Sequence, residues 1–92
     1  MIREFAHKVL RKLFETGSAA GIRPDMAPRL LRMLDRLNAS SAAQDMDVPG
    51  WRFHSLTGDR AGTYSVSVNA NWRLTFTMTG ADATAVNLED YH

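Results

Sequence analysis

The sequence predicts an α+β fold, in which two amino-terminal helices pack on one face of a twisted, mainly antiparallel sheet of four to five strands. Apolar residues recur at steps of three and four along the first forty residues, and from Trp51 onward the apolar period changes to two. Helical patterns therefore precede strand patterns, which is the order typical of an α+β domain. The 92 residues are expected to form a single domain, residues 1–92, because each half alone would bury too little apolar surface.

Two helices are predicted in the amino-terminal half. Apolar side chains at helical spacing mark the first: Val9, Leu10, Leu13 and Phe14. Gly17 follows them and suits a left-handed helix cap. Pro24 and Pro28 fit the opening region of a second helix, which we expect to run to about Asn38. Three arginines at steps of three and four share the outward face of that helix: Arg29, Arg32 and Arg36.

Alternation of apolar and polar residues predicts four strands in the second half of the chain. They span Trp51–Leu56, Tyr64–Val68, Trp72–Met78 and Ala83–Leu88. The connection before them, residues 39–50, is rich in Ala, Ser and Asp and is expected to be irregular. Residues 2–5 would add a strand ahead of the helices and give a β-α-α-β-β-β-β order.

Strand parity predicts which residues share the face of the sheet that the helices leave open. We assign the large apolar side chains of three strands to the helical face: Trp51, Phe53, Tyr64, Val66, Val68, Trp72, Leu74, Phe76 and Met78. This alternation sends Arg52 and His54 outward from the first strand. It also sends Arg73 outward from the third strand, opposite Ser67.

A candidate site follows from this arrangement. We expect His54 to lie across from Ser67, so that His54, Ser67 and Arg73 form a row over three adjacent strands. Such a row would separate the outer two backbones by about 10 Å, a gap that long side chains can close around a phosphate. The last strand runs back along the third, so the chain end, residues 89–92, is expected near Arg73. No metal-binding spacing accompanies these residues.

Each of these residues also has an ordinary structural explanation. A lone histidine on a strand, such as His54, is more often a surface residue than a catalyst. Arg73 could serve as a salt-bridge partner of Glu89, and a terminal Tyr-His pair is commonly a frayed end. The spacing therefore favours an active site only through the convergence of these side chains on one face.

Charge is distributed unevenly along the chain, although the net charge is only +1. Residues 1–40 carry eight Lys/Arg against four acids, whereas residues 41–92 carry three against six. The helical half is therefore the part expected to face a polyanion. Its candidate contacts are Lys8, Arg11, Lys12, Arg29, Arg32 and Arg36. An ordinary solvated helix face, or the arginine bias of a GC-rich genome, would give the same pattern.

The composition also bears on location. The sequence contains no cysteine and no run of about 18 apolar residues that would span a membrane. Its amino terminus is charged from the third residue and lacks the apolar stretch of a secretory signal. We therefore expect a cytoplasmic protein that needs neither disulfides nor a membrane.

Three stretches of the chain carry a distinctive combination of residues. They are the loop Leu56–Gly62, the segment Ser65–Phe76 with its Asn-x-Asn-Trp-Arg turn, and the end Glu89–His92. Together they closely resemble the HigB toxins, the plasmid-maintenance killer proteins of the RelE superfamily. The likeness extends over essentially the whole chain, and it is the combination of the three stretches that is specific.

The resemblance implies a microbial RNase fold and metal-independent cleavage of messenger RNA in the ribosomal decoding site, by attack of a ribose 2′-hydroxyl on the adjacent phosphate. In this chain it implies a catalytic set of His54, Arg73, Tyr91 and His92, supported by Asn71 and Asp90. The two histidines would transfer protons and orient the phosphate, the arginine would stabilise it, and the tyrosine would position a base or a histidine. Base and acid stay unassigned, because two histidines in one site titrate as a coupled pair.

Partners follow from the same resemblance. It implies an antitoxin of the HigA helix-turn-helix type, and operator DNA would be bound only through that antitoxin. The 70S ribosome and its messenger RNA would be the target, with the basic helix residues docking on RNA phosphates. No cofactor is implied.

One position departs from the family pattern. Where many relatives carry a lysine just after the loop leucine, this chain has Thr57. We count Thr57 with the supporting residues of the site, and the loss of the cation implies either a weaker nuclease or a ribosome that supplies the charge in compensation. Two other functions stay open on the same fold. One is a ParE-like poison of DNA gyrase, which would not need the set of His54, Arg73 and His92, and the other is a catalytically inactive RNA- or protein-binding module, which Thr57 would suggest.

Overall fold

The computed structural model describes residues 1–90, in which two helices cover one face of a four-stranded antiparallel sheet. Helix α1 spans Lys8–Thr16 and helix α2 spans Ala27–Ala39. The strands lie side by side in chain order: β1 His54–Ser55, β2 Thr63–Ser67, β3 Trp72–Thr79 and β4 Asp82–Asp90. The predicted α+β class is confirmed.

Both predicted helices are confirmed, and local chemistry fixes their ends. Helix α1 begins after His7, whose Nδ1 accepts a hydrogen bond from the backbone N–H of Leu10 at 3.1 Å. It ends at Gly17, which has a left-handed backbone with a φ of 77°. Helix α2 has Pro28 in its first turn, where the missing N–H costs no intrahelical bond.

The core lies between the helices and the inner face of the sheet. Its fully buried side chains come from both layers and include Leu10, Leu13, Leu30, Met33, Leu34, Leu37, Val66, Leu74, Phe76 and Val86. The register pairs Val66 with Leu74 and Ser67 with Arg73, as the alternation predicts. Trp51 and Phe53 also pack against the core, so the assignment of the two faces is confirmed.

The first predicted strand of the second half is shorter than expected. Only His54–Ser55 pairs as a strand, because Arg52 has a φ of 52° and this left-handed backbone interrupts the ladder. The chain still runs beside β2, since the Ser67 N–H donates to the Trp51 carbonyl at 2.7 Å.

The predicted strand at residues 2–5 is absent and β4 is irregular, and here too a residue with a positive φ interrupts the regular strand. Residues 2–5 form no strand. Their backbone pairs with β4 at two isolated parallel bridges, Ile2 to Ala83 and Phe5 to Val86, and the Arg3 side chain donates two hydrogen bonds to Asp82. Strand β4 carries one extra residue opposite β3 near Ala85, whose φ is 50°. This bulge lets Ala83 and Val86 both enter the core, and it breaks the period of two that a longer ladder with residues 2–5 would need.

Candidate active site

The open face of the sheet carries polar side chains from three neighbouring strands. The register pairs Ser67 with Arg73 and Arg73 with Glu89. One step further along, Ser65 pairs with Thr75. These last two residues are only 2% and 1% exposed, so longer side chains around them shield this part of the face from water.

Glu89 is the centre of an ion cluster on this face. Arg60 donates two hydrogen bonds to its carboxylate, from Nη1 to Oε1 and from Nη2 to Oε2, both at 2.7 Å. The Thr75 hydroxyl donates to Oε2 at 2.6 Å, and Arg73 Nη2 lies 3.7 Å from Oε1. The salt bridge between Arg73 and Glu89 that the sequence left open is therefore present, and it holds the arginine on the open face.

The cluster lowers the pKa of Glu89 to about 2. The main cause is the pair of hydrogen bonds from Arg60, which outweighs the opposing effect of burial. The Thr75 hydroxyl and the charges of Arg60 and Arg73 lower the pKa further. Glu89 is thus a permanent anion at neutral pH, which positions cations and does not carry protons.

We expect this cluster to give the fold a distinct dependence on pH. The ordinary pKa of Glu89 is 4.5 and the folded value is about 2, so the carboxylate stabilises the fold fully above about pH 5, and the effect is lost as the pH falls toward 2. Glu89→Gln should therefore be less stable than the parent at about pH 7, and the gap should narrow on acidification. Urea unfolding over that range measures it, and a gap independent of pH would contradict the prediction.

His54 lies on the same face but not in the predicted row. It pairs with Ser65 and not with Ser67, so the predicted pairing was wrong by two residues. The register follows from the loop after β1, in which the Leu56 N–H donates to the Thr63 carbonyl. By standard sheet spacings this displacement separates the backbones of His54 and Arg73 by about 12 Å, diagonally over three strands.

A backbone carbonyl orients the His54 imidazole. Its Nδ1 lies 3.2 Å from the Arg52 carbonyl oxygen, and the ring is exposed. A carbonyl only accepts hydrogen bonds, so Nδ1 carries the hydrogen in this contact. In the neutral ring that leaves Nε2 as the proton acceptor, which is the form a general base requires.

The loop after β1 is tied to this face by Arg60. Thr57 is exposed and immediately precedes the short 3₁₀ helix Gly58–Arg60. Arg60, the last residue of that helix, donates hydrogen bonds to Glu89, and Glu89 in turn contacts Arg73. Thr57 is therefore three residues from a side chain of the ion cluster.

Two supporting residues lie near the ends of β3 and β4. Asn71 is exposed in the turn before β3, where its N–H and that of Trp72 both donate to the Asn69 side-chain oxygen. Asp90 is paired with Trp72, one residue out of phase with the pair of Arg73 and Glu89. The candidate residues Tyr91 and His92 lie outside the described residues.

The basic helix faces are only partly free. Lys8, Arg11 and Lys12 are exposed on α1, and Arg11 lies 3.8 Å from Glu15. On α2, Arg32 is exposed, whereas Arg36 donates to the Asp45 carbonyl at 2.6 Å.

Arg29 departs from the predicted stripe. It is half-buried and donates to the carbonyls of Gly50 and Ser67, so it turns toward the sheet. The expectation of one solvated stripe formed by three arginines was therefore wrong. The cause is that the loop before β1 and the end of β2 each place one carbonyl acceptor within reach of the first turn of α2.

Sequence reasoning missed two members of the ion cluster. Thr75 follows from the same parity as Arg73 and Glu89, so that signal was available. Arg60 sits in an irregular loop, where no period indicates the direction of a side chain.

Within residues 1–90, no group of three or more His, Cys, Asp or Glu residues is placed to hold a metal ion, and no helix there is long and apolar enough to cross a membrane.

Sequence similarity to known proteins extends over nearly the whole chain. Residues 3–92 match the model of the HigB-like toxin family, described as a RelE-like toxin of the type II toxin-antitoxin system HigB. The chain is 37% identical over 92 residues to a Proteus vulgaris protein named Endoribonuclease HigB, with all of both chains covered. It is 34% identical over 89 residues to Toxin HigB-1 of Vibrio cholerae serotype O1, with 95% of this chain and 92% of the relative covered.

Proposed function

The chain belongs to the HigB-like family of RelE-like toxins from type II toxin-antitoxin systems, and we propose that it cleaves messenger RNA on the ribosome while a HigA-type antitoxin holds it inactive. The observation that carries the proposal is the placement of His54 and Arg73 on one open face of the sheet. One supplies an imidazole with its Nε2 exposed to exchange a proton, and the other a guanidinium fixed by Glu89.

The proposed reaction is an internal transesterification of RNA. The ribose 2′-oxygen bonds to the adjacent phosphorus, the bond from phosphorus to the 5′-oxygen breaks, and the products are a 2′,3′-cyclic phosphate and a 5′-hydroxyl. One group must accept the 2′-hydroxyl proton and another must protonate the departing oxygen. His54 fits either of these roles, and Arg73 fits the developing charge on the phosphorane.

The remaining roles rest on the family resemblance. His92 would be the second proton carrier, Tyr91 would position a base or the neighbouring imidazole, and Asn71 and Asp90 would support the site. The exposed basic residues of the helices would contact ribosomal RNA: Lys8, Arg11, Lys12, Arg32 and Arg36. Operator DNA would be bound by the antitoxin alone, and the toxin would act in the cytoplasm without a cofactor.

Cleavage on purified ribosomes tests this function. We expect the protein to cut messenger RNA in 70S ribosomes programmed with a defined codon in the decoding site, leaving a 2′,3′-cyclic phosphate end. Intact messenger after prolonged incubation would overturn the proposal. Breakage of plasmid DNA in a parallel gyrase assay would favour the ParE-like alternative, and binding to ribosomes without cleavage would favour the inactive module.

Thr57 offers a gain of activity. Replacing it with lysine adds a flexible cation to the loop that Arg60 ties to the site, where it can pair with the phosphorane better than with the less charged ground state. A contact that favours the transition state by about 1.4 kcal/mol raises the rate about tenfold. We expect Thr57→Lys to raise the single-turnover cleavage rate by about that factor and Thr57→Ala to stay near the parent. An unchanged or lower rate for Thr57→Lys with an intact fold would place this position outside the site.

A further inference from the structure

A cationic pocket lies beside the open face that carries the candidate active site. It is a cavity of about 330 Å³ between the start of α2, the loop before β1 and the β2–β3 turn. Arg29 and Arg52 contribute its charges, and Ser67 and Asn69 contribute polar groups. None of its described lining residues carries a carboxylate. Its volume corresponds to about eleven waters at roughly 30 Å³ each, which leaves room for a phosphodiester group.

No salt bridge within residues 1–90 neutralises the charge of Arg29. Its Nη2 donates to two neutral acceptors, the carbonyls of Gly50 at 3.0 Å and Ser67 at 3.1 Å. Its Nε is buried and has no hydrogen-bond partner within residues 1–90. A guanidinium that is fixed against carbonyls and paired with no carboxylate of the described residues is suited to an anionic oxygen from outside.

Arg52 adds a second cation from an unusual backbone. Its φ of 52° lies in a region that residues other than glycine seldom adopt, and such conformations cluster at functional sites. Its side chain is exposed at the pocket, and no ion pair within residues 1–90 engages it. The same residue holds His54 through its carbonyl, so one strained position serves both the pocket and the candidate site.

Ser67 links the pocket to Arg73. It lines the pocket and is paired with Arg73 on the neighbouring strand, about 4.8 Å away by standard sheet spacing. RNA carries a phosphate at every nucleotide, so a strand with one phosphate at Arg73 presents another along the same surface. We propose that the pocket of Arg29 and Arg52 binds a phosphodiester of single-stranded RNA next to the one that is cleaved. This inference rests on the proposed ribonuclease function.

RNA binding without cleavage tests the pocket. The probe is a single-stranded RNA tetranucleotide, 2′-O-methylated throughout so that it cannot react, with binding followed by fluorescence anisotropy at several salt concentrations. The key variant is Arg52→Ala, because this side chain is exposed and its loss should leave the fold intact. We expect about tenfold weaker binding and a salt slope smaller by about 0.7, the loss of one phosphate contact to a single strand.

Two further variants complete the design. Arg23→Ala is the matched control, since this arginine is exposed, pairs with Asp25 and does not line the pocket. It should bind like the parent, and a loss equal to that of Arg52→Ala would overturn the pocket by showing a general effect of charge. Arg73→Ala reports on the candidate site itself.

The outcomes separate the pocket from the proposed function. Weak binding by Arg73→Ala together with parental binding by Arg52→Ala would overturn the pocket alone. Parental binding by both variants would show that RNA does not occupy this face, and would count against the proposed function as well. Losses in both, with a smaller salt slope for Arg52→Ala and a parental Arg23→Ala, would support the pocket.

Discussion

Replacing Arg73 with alanine is expected to lower the single-turnover rate of messenger cleavage on ribosomes by at least about 100-fold. In the proposed reaction the Arg73 guanidinium would stabilise the charge that builds up on the phosphorane, and removing one such donor from a catalytic site commonly costs that much. The variant should remain folded, because Glu89 keeps its hydrogen bonds from Arg60 and Thr75. The cleavage rate at saturating toxin and the thermal midpoint together measure the two effects.

A second substitution separates chemistry from architecture. Arg60→Ala removes the strongest contacts of Glu89 but leaves the Arg73 side chain in place. If Arg73 contributes only by holding Glu89, Arg60→Ala should lose at least as much activity as Arg73→Ala, because Arg60 makes the stronger contacts. We expect Arg60→Ala to lose more stability and Arg73→Ala to lose far more activity. Full cleavage by a folded Arg73→Ala protein would remove this residue from the catalytic set.

The parts of the fold that follow a simple period were predictable from the sequence. In β2 and β3 the large apolar residues alternate without a break, so the face of Arg73 and its pairing with Ser67 could be read directly. Helix α1 was equally clear, because an amphipathic run ends at a glycine that takes the left-handed conformation. In each case one physical requirement dominates, namely burial of one face or relief of backbone strain.

The short β1 and the bulge in β4 depend on backbone conformations that the residue types do not predict. Arg52 and Ala85 both have positive φ values, although neither is a glycine or an asparagine. The first shortens β1, and the second creates the bulge in β4. Tertiary contacts hold these conformations, such as the bond between the Ser67 N–H and the Trp51 carbonyl. The error of two residues in the pairing of His54 has a separate source, the irregular loop after β1, in which the Leu56 N–H donates to the Thr63 carbonyl and sets the register.

Replacing His54 with alanine is expected to slow cleavage by roughly 100-fold to 10,000-fold, the range found when a general acid or base is removed. The imidazole is exposed on β1 and Nδ1 is held by the Arg52 carbonyl, so Nε2 can exchange a proton with substrate. The affinity for ribosomes should change little, because the proposed role of the His54 imidazole is to transfer a proton at the reacting atoms and not to hold the ribosome. The test is therefore a split between a large fall in the single-turnover rate and a nearly parental affinity for programmed ribosomes.

His7 provides the matched control for His54, because it is a histidine with a structural role. Its ring accepts the Leu10 N–H and caps α1, so His7→Ala should cost about 1 kcal/mol of stability, by analogy with other helix caps. In a domain of this size that lowers the melting temperature by about 4–8 °C. We expect opposite phenotypes: His54→Ala melts like the parent and does not cut, whereas His7→Ala melts lower and cuts at the parental rate. If His54→Ala instead lost stability and retained cleavage, its imidazole would be a structural group and the proton would have to move through another residue.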